Sequence, residues 1–411
     1  MKILALASTF PYPPTRGGTE VRTFNLLKYL QRHHQVTVLA QRDRAVSEAD
    51  IDGLKSYVSD VVLFPEPPDP EPGLVPKATR FLESLLTATP ANVWHHYCPQ
   101  MQAWIDRCVD SGECDAITSE HSINEIFIRP QYRQKVRTVV NVHSSLCGWT
   151  RSHLESGITE NIWRDRLYLN LILERYERRY PRKFDALVAT TPEDGEQFRA
   201  IAPDADIRVV PNGVDLESFP MRDRDPGGYE LAFVGAMDGP HNIDAARFFA
   251  TEVLPHLQQR YPQAQFTIVG ARPTPEVLAL GDRPGVTVTG KVPSMVDYLH
   301  RAVACVVPLR AGYGIKNKTL EAMAAGVPTV ASDRGLEGLS LPPDTTVSLR
   351  ANSIAEYLEA IGRVFEDASL RAELSRNGRN LVETVYTWER AGECYERAIA
   401  PNALRQLKIQ N

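Results

Sequence analysis

The densest run of chemistry-bearing residues in the chain is Arg310-Ala311-Gly312-Tyr313-Gly314-Ile315-Lys316-Asn317-Lys318-Thr319-Leu320-Glu321. Glycines that open a helix leave backbone N–H groups free at the positive end of the helix dipole, and here two lysines stand beside them. Such an arrangement cradles a diphosphate, with the free N–H groups and the Lys316 and Lys318 cations as its parts. Glu321, expected in the first turn of the helix, offers a carboxylate that can accept both hydroxyls of a ribose whose phosphates lie on the helix terminus. Its competing role is to cap the helix dipole with no ligand present. The run nearly spells a P-loop, since Gly312, Lys318 and Thr319 match GxxxxGK[ST], but Asn317 stands at the second glycine position and a P-loop nest is not expected. Asn317-Lys318-Thr319 is also a glycosylation sequon, set aside for a chain read as lacking a secretion signal.

A second glycine pair, Gly17-Gly18, precedes an expected helix and would let backbone amides approach a phosphate or sugar. The equally good structural reading is a turn that needs a positive φ. GxGxxG does not follow the first expected strand, which disfavours a nicotinamide dehydrogenase. The six cysteines form no CxxC pair and no cluster with histidines, so no metal site is expected and reduced thiols in a cytosol fit best. The net charge of −5 argues against a nucleic-acid partner. Two basic stretches, 129–137 and 178–183, read first as solvated faces among acidic residues and second as approaches to an anionic acceptor or membrane surface. No apolar run reaches the roughly 20 residues of a membrane-spanning helix. The opening MKILALAS reads as a buried strand rather than a signal peptide.

These residues need elements to position them. At 411 residues the chain suits two domains. Short apolar runs alternate with helical stretches, as in parallel sheets built from βαβ units. The runs are 3–8, 35–40, 61–64, 115–119, 137–143 and 185–190, then, after a turn at Pro211-Asn212-Gly213, 230–235, 265–270, 286–290, 304–309 and 329–332. Residues 65–76, rich in proline, read as an irregular loop. The tail from Thr387 reads as one or two amphipathic helices. The expected fold class is therefore α/β, with domains 1–210 and 211–386 and helices in 387–411 that pack back across the boundary. Ligands of such sheets lie beyond the carboxyl ends of the strands.

The stretch GIKNKTLEAMAAGVPTVAS resembles the donor-site signature of the retaining GT-B glycosyltransferases of glycosyltransferase family 4, the group 1 glycosyl transferases. The likeness extends to Gly17-Gly18-Thr19-Glu20, residues 210–215, 233–238 and 288–292, and Gly335-Leu336-Glu337-Gly338-Leu339. It implies two facing Rossmann-like domains with a cleft between them, the first on the acceptor side and the second for the donor nucleotide. It implies a nucleotide-diphosphate sugar as donor, with no cofactor and no metal, and an acceptor that is a glycan, a lipid-linked molecule or a small molecule. Glu321 matches the family's ribose-binding glutamate, while the first glutamate of the pair falls at Tyr313. Relatives carry an arginine and a lysine after the first strand of the second domain. Here that loop, from Gly235 to Asn242, has neither, so Lys316 and Lys318 are assigned their catalytic role. Gly17, Gly18, Gly235, Asn242, Val292, Tyr313, Gly314, Ile315 and Glu321 are the expected donor-binding residues. His143 is matched to the histidine that contacts the transferred sugar, with His121 the second choice.

Breaking the anomeric C–O bond places negative charge on the departing diphosphate, which fixed lysines and N–H groups stabilise. The resemblance implies that the acceptor proton passes to that phosphate on the same face, with retention of configuration. Two rivals stand beside this reading: a nonhydrolysing sugar-nucleotide epimerase, which needs acid/base carboxylates, and a degenerate homologue that binds sugar nucleotide without turnover. The expected location is the cytoplasm, including the inner face of the membrane through peripheral association.

Overall fold

A computed structural model of the chain describes residues 1–400 apart from 15, 16, 44, 69–72, 158 and 160, and omits the side chains of 74–78. The described chain divides into two compact units. The first comprises Met1–Leu154, Thr159–Pro211 and the chain from Trp388 onward; the second comprises Asn212–Thr387 with the short segment 155–158.

In the first unit β1 (Lys2–Ala7), β2 (Gln35–Arg42), β3 (Asp60–Pro65), β4 (Ala116–Glu120), β5 (Arg137–Val142), β6 (Ala186–Ala189) and β7 (Asp206–Val209) pair in the order β3-β2-β1-β4-β5-β6-β7. Every pairing is parallel, with Ile3 opposite Val36 on one side and Ala116 on the other. Strands buried on both faces need no polar alternation. Accordingly β4 and β6 are buried at every residue, whereas β7 at the edge is buried at none. The second unit repeats the scheme with β8 (Glu230–Val234), β9 (Gln265–Val269), β10 (Val286–Val288), β11 (Ala304–Val307), β12 (Thr329–Ala331) and β13 (Leu349–Arg350), ordered β10-β9-β8-β11-β12-β13 and again all parallel.

Sequence periodicity does not reveal β7 and β13, which have only four and two residues and lie at sheet edges. Nor is 65–76 wholly irregular, because a helix, Leu74–Thr87, starts inside it. Pro76 falls in the first turn of that helix, where a missing N–H costs no intrahelical bond.

Both sheets reverse direction of growth, between β1 and β4 in the first and between β8 and β11 in the second. Each reversal opens a crevice beyond the carboxyl ends of its two central strands.

The described tail is one helix, Trp388–Ile399, packed in the first unit on the Gly18–Leu30 helix and on β5 and β6. Its Ala391, Tyr395, Ala398 and Ile399 join that unit's core. Tyr395 also donates to Glu120 Oε1, while Asn141 Nδ2 donates to Glu120 Oε2 at 2.7 Å and Asn141 Oδ1 accepts from Arg22 Nη2 at 2.9 Å. Burial holds the Glu120 carboxyl above its ordinary range and lowers the Arg22 guanidinium to about 10, with the Glu120 charge pulling the latter back up.

Candidate functional site

In the second unit the crevice between β8 and β11 is walled by the loop after β8, residues 235–239, and the loop after β11, residues 308–316. Glycines make the close approaches here. Gly235 has φ 152°, and a Cβ on it would come within 3.0 Å of Lys318 Nζ and 3.2 Å of Asn242 Nδ2. At the end of β9, Gly270 has φ 154° and a Cβ there would fall 1.7 Å from the Gly235 carbonyl oxygen. Gly312 and Gly314, at φ 112° and 79°, turn the second loop toward the helix Asn317–Ala324. Both ends of that loop are anchored. Arg310 Nε donates to Asp244 Oδ2 at 2.9 Å, and its guanidinium lies over the Phe248 ring on the helix Pro240–Phe248. At the other end Lys316 Nζ donates to the Gly314 carbonyl and pairs with Glu337 Oε2 at 3.2 Å.

Lys318 Nζ donates to Asn242 Oδ1 and sits 4.7 Å from the centre of the Phe233 ring. Asn242 is fixed in turn by its Nδ2, which donates to the Ala236 carbonyl at 2.7 Å. Burial, with the Lys316 charge adding to it, lowers the Lys318 ammonium to about 7. One helical turn on, burial raises the Glu321 carboxyl to about 7 against the pull of Lys318. Glu321 has no side-chain hydrogen-bond partner among the described residues. It is the fifth residue of its helix, not in the first turn as expected, because the helix already begins at Asn317. A role in capping that first turn is thereby removed. Asn317 opens the helix and accepts from Asn212 Nδ2 at 2.9 Å, so no P-loop nest forms.

Gly235, Asn242, Gly314, Lys316, Lys318 and Glu321 thus share one end of the second sheet, with half-buried Tyr313 and Ile315 in the same loop. Val292 follows β10 and packs against the second unit's core. Sequence reading missed Glu337 as the partner of Lys316, Asp244 as the anchor of Arg310, and Gly270. Only the glycine, by its place directly after a strand, carried a readable signal.

The remaining expected residues belong to the first unit. Gly17 is exposed and precedes the Gly18–Leu30 helix with φ −172°, an extended value open to any residue, so the expectation of a positive-φ turn fails there. His143 follows β5; its Nε2 is buried with no hydrogen-bond partner among the described residues, and its ring meets His121 edge to face at 5.6 Å. Burial, then His121 and Arg22, hold His143 well below the ordinary imidazole range, so it is neutral. His121 follows β4 at φ 85°, a strained value for a non-glycine residue, and accepts from Ile123 N at 3.3 Å through Nδ1. Burial lowers its imidazole to about 4. The loop after His143 is held from below. Ser145 N donates to Asp194 Oδ1 at 3.0 Å, and Leu146 N donates to the buried Glu177 at 2.7 Å. Among the described residues no group of three or more His, Cys, Asp or Glu side chains is placed to hold a metal.

Comparison with known proteins assigns this architecture. Residues 228–367 match the family model "Glycosyl transferases group 1" and residues 16–218 match "Glycosyltransferase Family 4". YtcC of Bacillus subtilis, which carries a provisional glycosyltransferase name, is 25% identical over 47% of this chain and 55% of its own length. The chain thus spans about half the length of that curated relative. Among solved structures, sucrose-phosphate synthase from Thermosynechococcus elongatus superposes with a TM-score of 0.68 at 18% identity over 100% of both chains. HepE from Anabaena, in complex with UDP-glucose, gives 0.64 at 14% identity, covering 98% of this chain and 100% of its own. TarM gives 0.68 at 11% identity, covering 97% of this chain and 98% of its own. The fold is GT-B, as the sequence implies.

Proposed function

From a GT-B fold whose two halves each match a glycosyltransferase model, we propose that the chain transfers a sugar from a nucleotide-diphosphate donor to an acceptor, with retention of anomeric configuration in the manner of family 4. One observation carries the donor site. Glu321, whose carboxylate has no hydrogen-bond partner among the described residues, stands one turn behind a glycine-turned helix start that holds Lys318. In this reading Glu321 accepts the ribose hydroxyls, and the Gly314 and Ile315 amides and Lys318 take the diphosphate. Gly235, lacking a Cβ, leaves room beside Lys318.

As the anomeric C–O bond breaks, the leaving phosphate gains negative charge next to Lys318, whose direction Asn242 fixes. A cation already in place needs no rearrangement at that moment. The acceptor hydroxyl gives its proton to the same phosphate. With lysines beside the diphosphate, we read the reaction as independent of metal. Neutral His143 serves as a hydrogen-bonding group toward the transferred sugar and not as an acid.

HepE and TarM relatives with UDP bound make uridine diphosphate the first nucleotide to try. The expected outcome is a raised melting temperature with UDP or a UDP-sugar, unchanged by EDTA and lost in Glu321→Ala. No shift with any of UDP, GDP, ADP or their sugars would remove the donor site; a shift that survives in Glu321→Ala would remove the ribose role. The pairing of Lys316 with Glu337 favours one rival, a binder without turnover, in which that lysine serves structure alone. Its signature is a melting shift with no nucleotide released from the sugar donor in the presence of any acceptor.

A further inference from the structure

Soluble helices turn their apolar faces inward. The helix Ile162–Tyr168 of the first unit does not: none of its residues is buried, and Trp163 is 80% and Leu167 50% exposed. It continues through a π-turn, Leu169–Leu173, into Glu174–Arg179. Trp163, Leu167 and Leu171 stand four residues apart, so they line one stripe. The π-turn packs against the helix Leu74–Thr87, which is also inverted. Phe81, Leu82 and Leu86 of that helix face outward, Leu86 at 73% exposure, while Ser84 is buried. Arg175 ties the two helices by donating to the Leu85 carbonyl at 3.1 Å. Together they form an apolar face that nothing in the described chain covers.

Charge identifies the occupant. The whole chain carries −5, yet residues 161–183 hold seven Lys and Arg against three Asp and Glu. Exposed Arg166 and Arg178 have no carboxylate partner among the described residues. The basic stretch 129–137 differs: Arg129, Arg133 and Lys135 there are paired with Asp106, Asp185 and Asp110. Tryptophan and leucine flanked by unpaired arginines suit the boundary between acyl chains and anionic headgroups. A second copy of the chain would bring like charge against like. No helix of the described residues is long and apolar enough to cross a membrane, so contact would be with its surface.

We propose that this face docks the chain onto the surface of an anionic lipid bilayer. Trp163, Leu167, Leu171, Phe81, Leu82 and Leu86 enter the headgroup boundary, and Arg166 and Arg178 meet lipid phosphates. The assignment does not depend on the sugar-transfer reading.

The test is sedimentation of the full chain with vesicles of phosphatidylcholine mixed with phosphatidylglycerol, against phosphatidylcholine alone. Binding is expected to the mixed vesicles and to weaken with salt. It should fall about a hundredfold in Trp163→Ala/Leu167→Ala and by about thirtyfold or more in Arg166→Glu/Arg178→Glu. These side chains are exposed, so the variants should keep the far-UV spectrum and melting temperature of the parent. Equal sedimentation of parent and Trp163→Ala/Leu167→Ala would overturn the proposal. So would an absence of vesicle binding together with a concentration-dependent rise in mass that this variant abolishes, which would assign the face to a second copy.

Discussion

Lys318 and Glu321 lie three residues apart and are both displaced to about 7 by burial, one from above and one from below. A bound diphosphate raises the Lys318 ammonium, so above about pH 7 binding takes up a proton and weakens as pH rises. Ribose hydroxyls favour the ionised Glu321, so below about pH 7 binding releases a proton and weakens as pH falls. Affinity for a UDP-sugar, measured by calorimetry, is therefore expected to peak near neutrality and to change up to about tenfold per pH unit on either side. Glu321→Gln should flatten the acid limb and Lys318→Met the alkaline one; a flat profile in the parent would separate both groups from the donor. The glycine loop, the two lysines and Glu321 were legible because they follow a strand, the place where such sheets bind ligands. Their partners were not. Asp244 and Glu337 lie 66 and 21 residues from Arg310 and Lys316, a closeness that only the folded chain creates. The shift of Glu321 out of the first turn has a local cause, since a helix start without a Ser, Thr, Asp or Asn cap leaves no mark in the sequence.

At the scale of elements, the helix Trp388–Ile399 is joined to β4 and β5 by more than apolar contact. Removing the Tyr395 hydroxyl leaves Glu120 Oε1 buried with one donor fewer. Tyr395→Phe is therefore expected to cost about 1–3 kcal/mol in denaturant unfolding. Gly392 lies against Tyr29, and a Cβ on it would stand 2.1 Å from the ring, so Gly392→Ala should cost about as much, roughly 1–3 kcal/mol, through overpacking. If both variants unfold like the parent, the helix does not pack as described. The strands of both sheets were readable because parallel strands covered on both faces become continuous apolar runs. β7 and β13 lack such runs because they lie at edges. The outward-turned apolar side chains of the helices Leu74–Thr87 and Ile162–Tyr168 carry no mark in the sequence; only their exposure reveals them.

At the scale of the molecule, the first unit is assembled from segments that lie before and after the second. Ending the chain at Thr387 removes Ala391, Tyr395, Ala398 and Ile399 from the first core and leaves the second unit's core untouched. Limited proteolysis of that truncated chain should digest residues 1–211 while nucleotide still protects residues 212–387; equal resistance in both units would show the helix to be dispensable. The same arrangement sets an order of events during synthesis. When the ribosome has made β1 to β7, the first unit still lacks a piece of its core, and the whole second unit must emerge before that piece exists. Residues 212–387 can therefore fold while the earlier-made unit is unfinished, with the pocket for Tyr395 beside Glu120 open to water, a period in which a chaperone has an exposed apolar surface to hold.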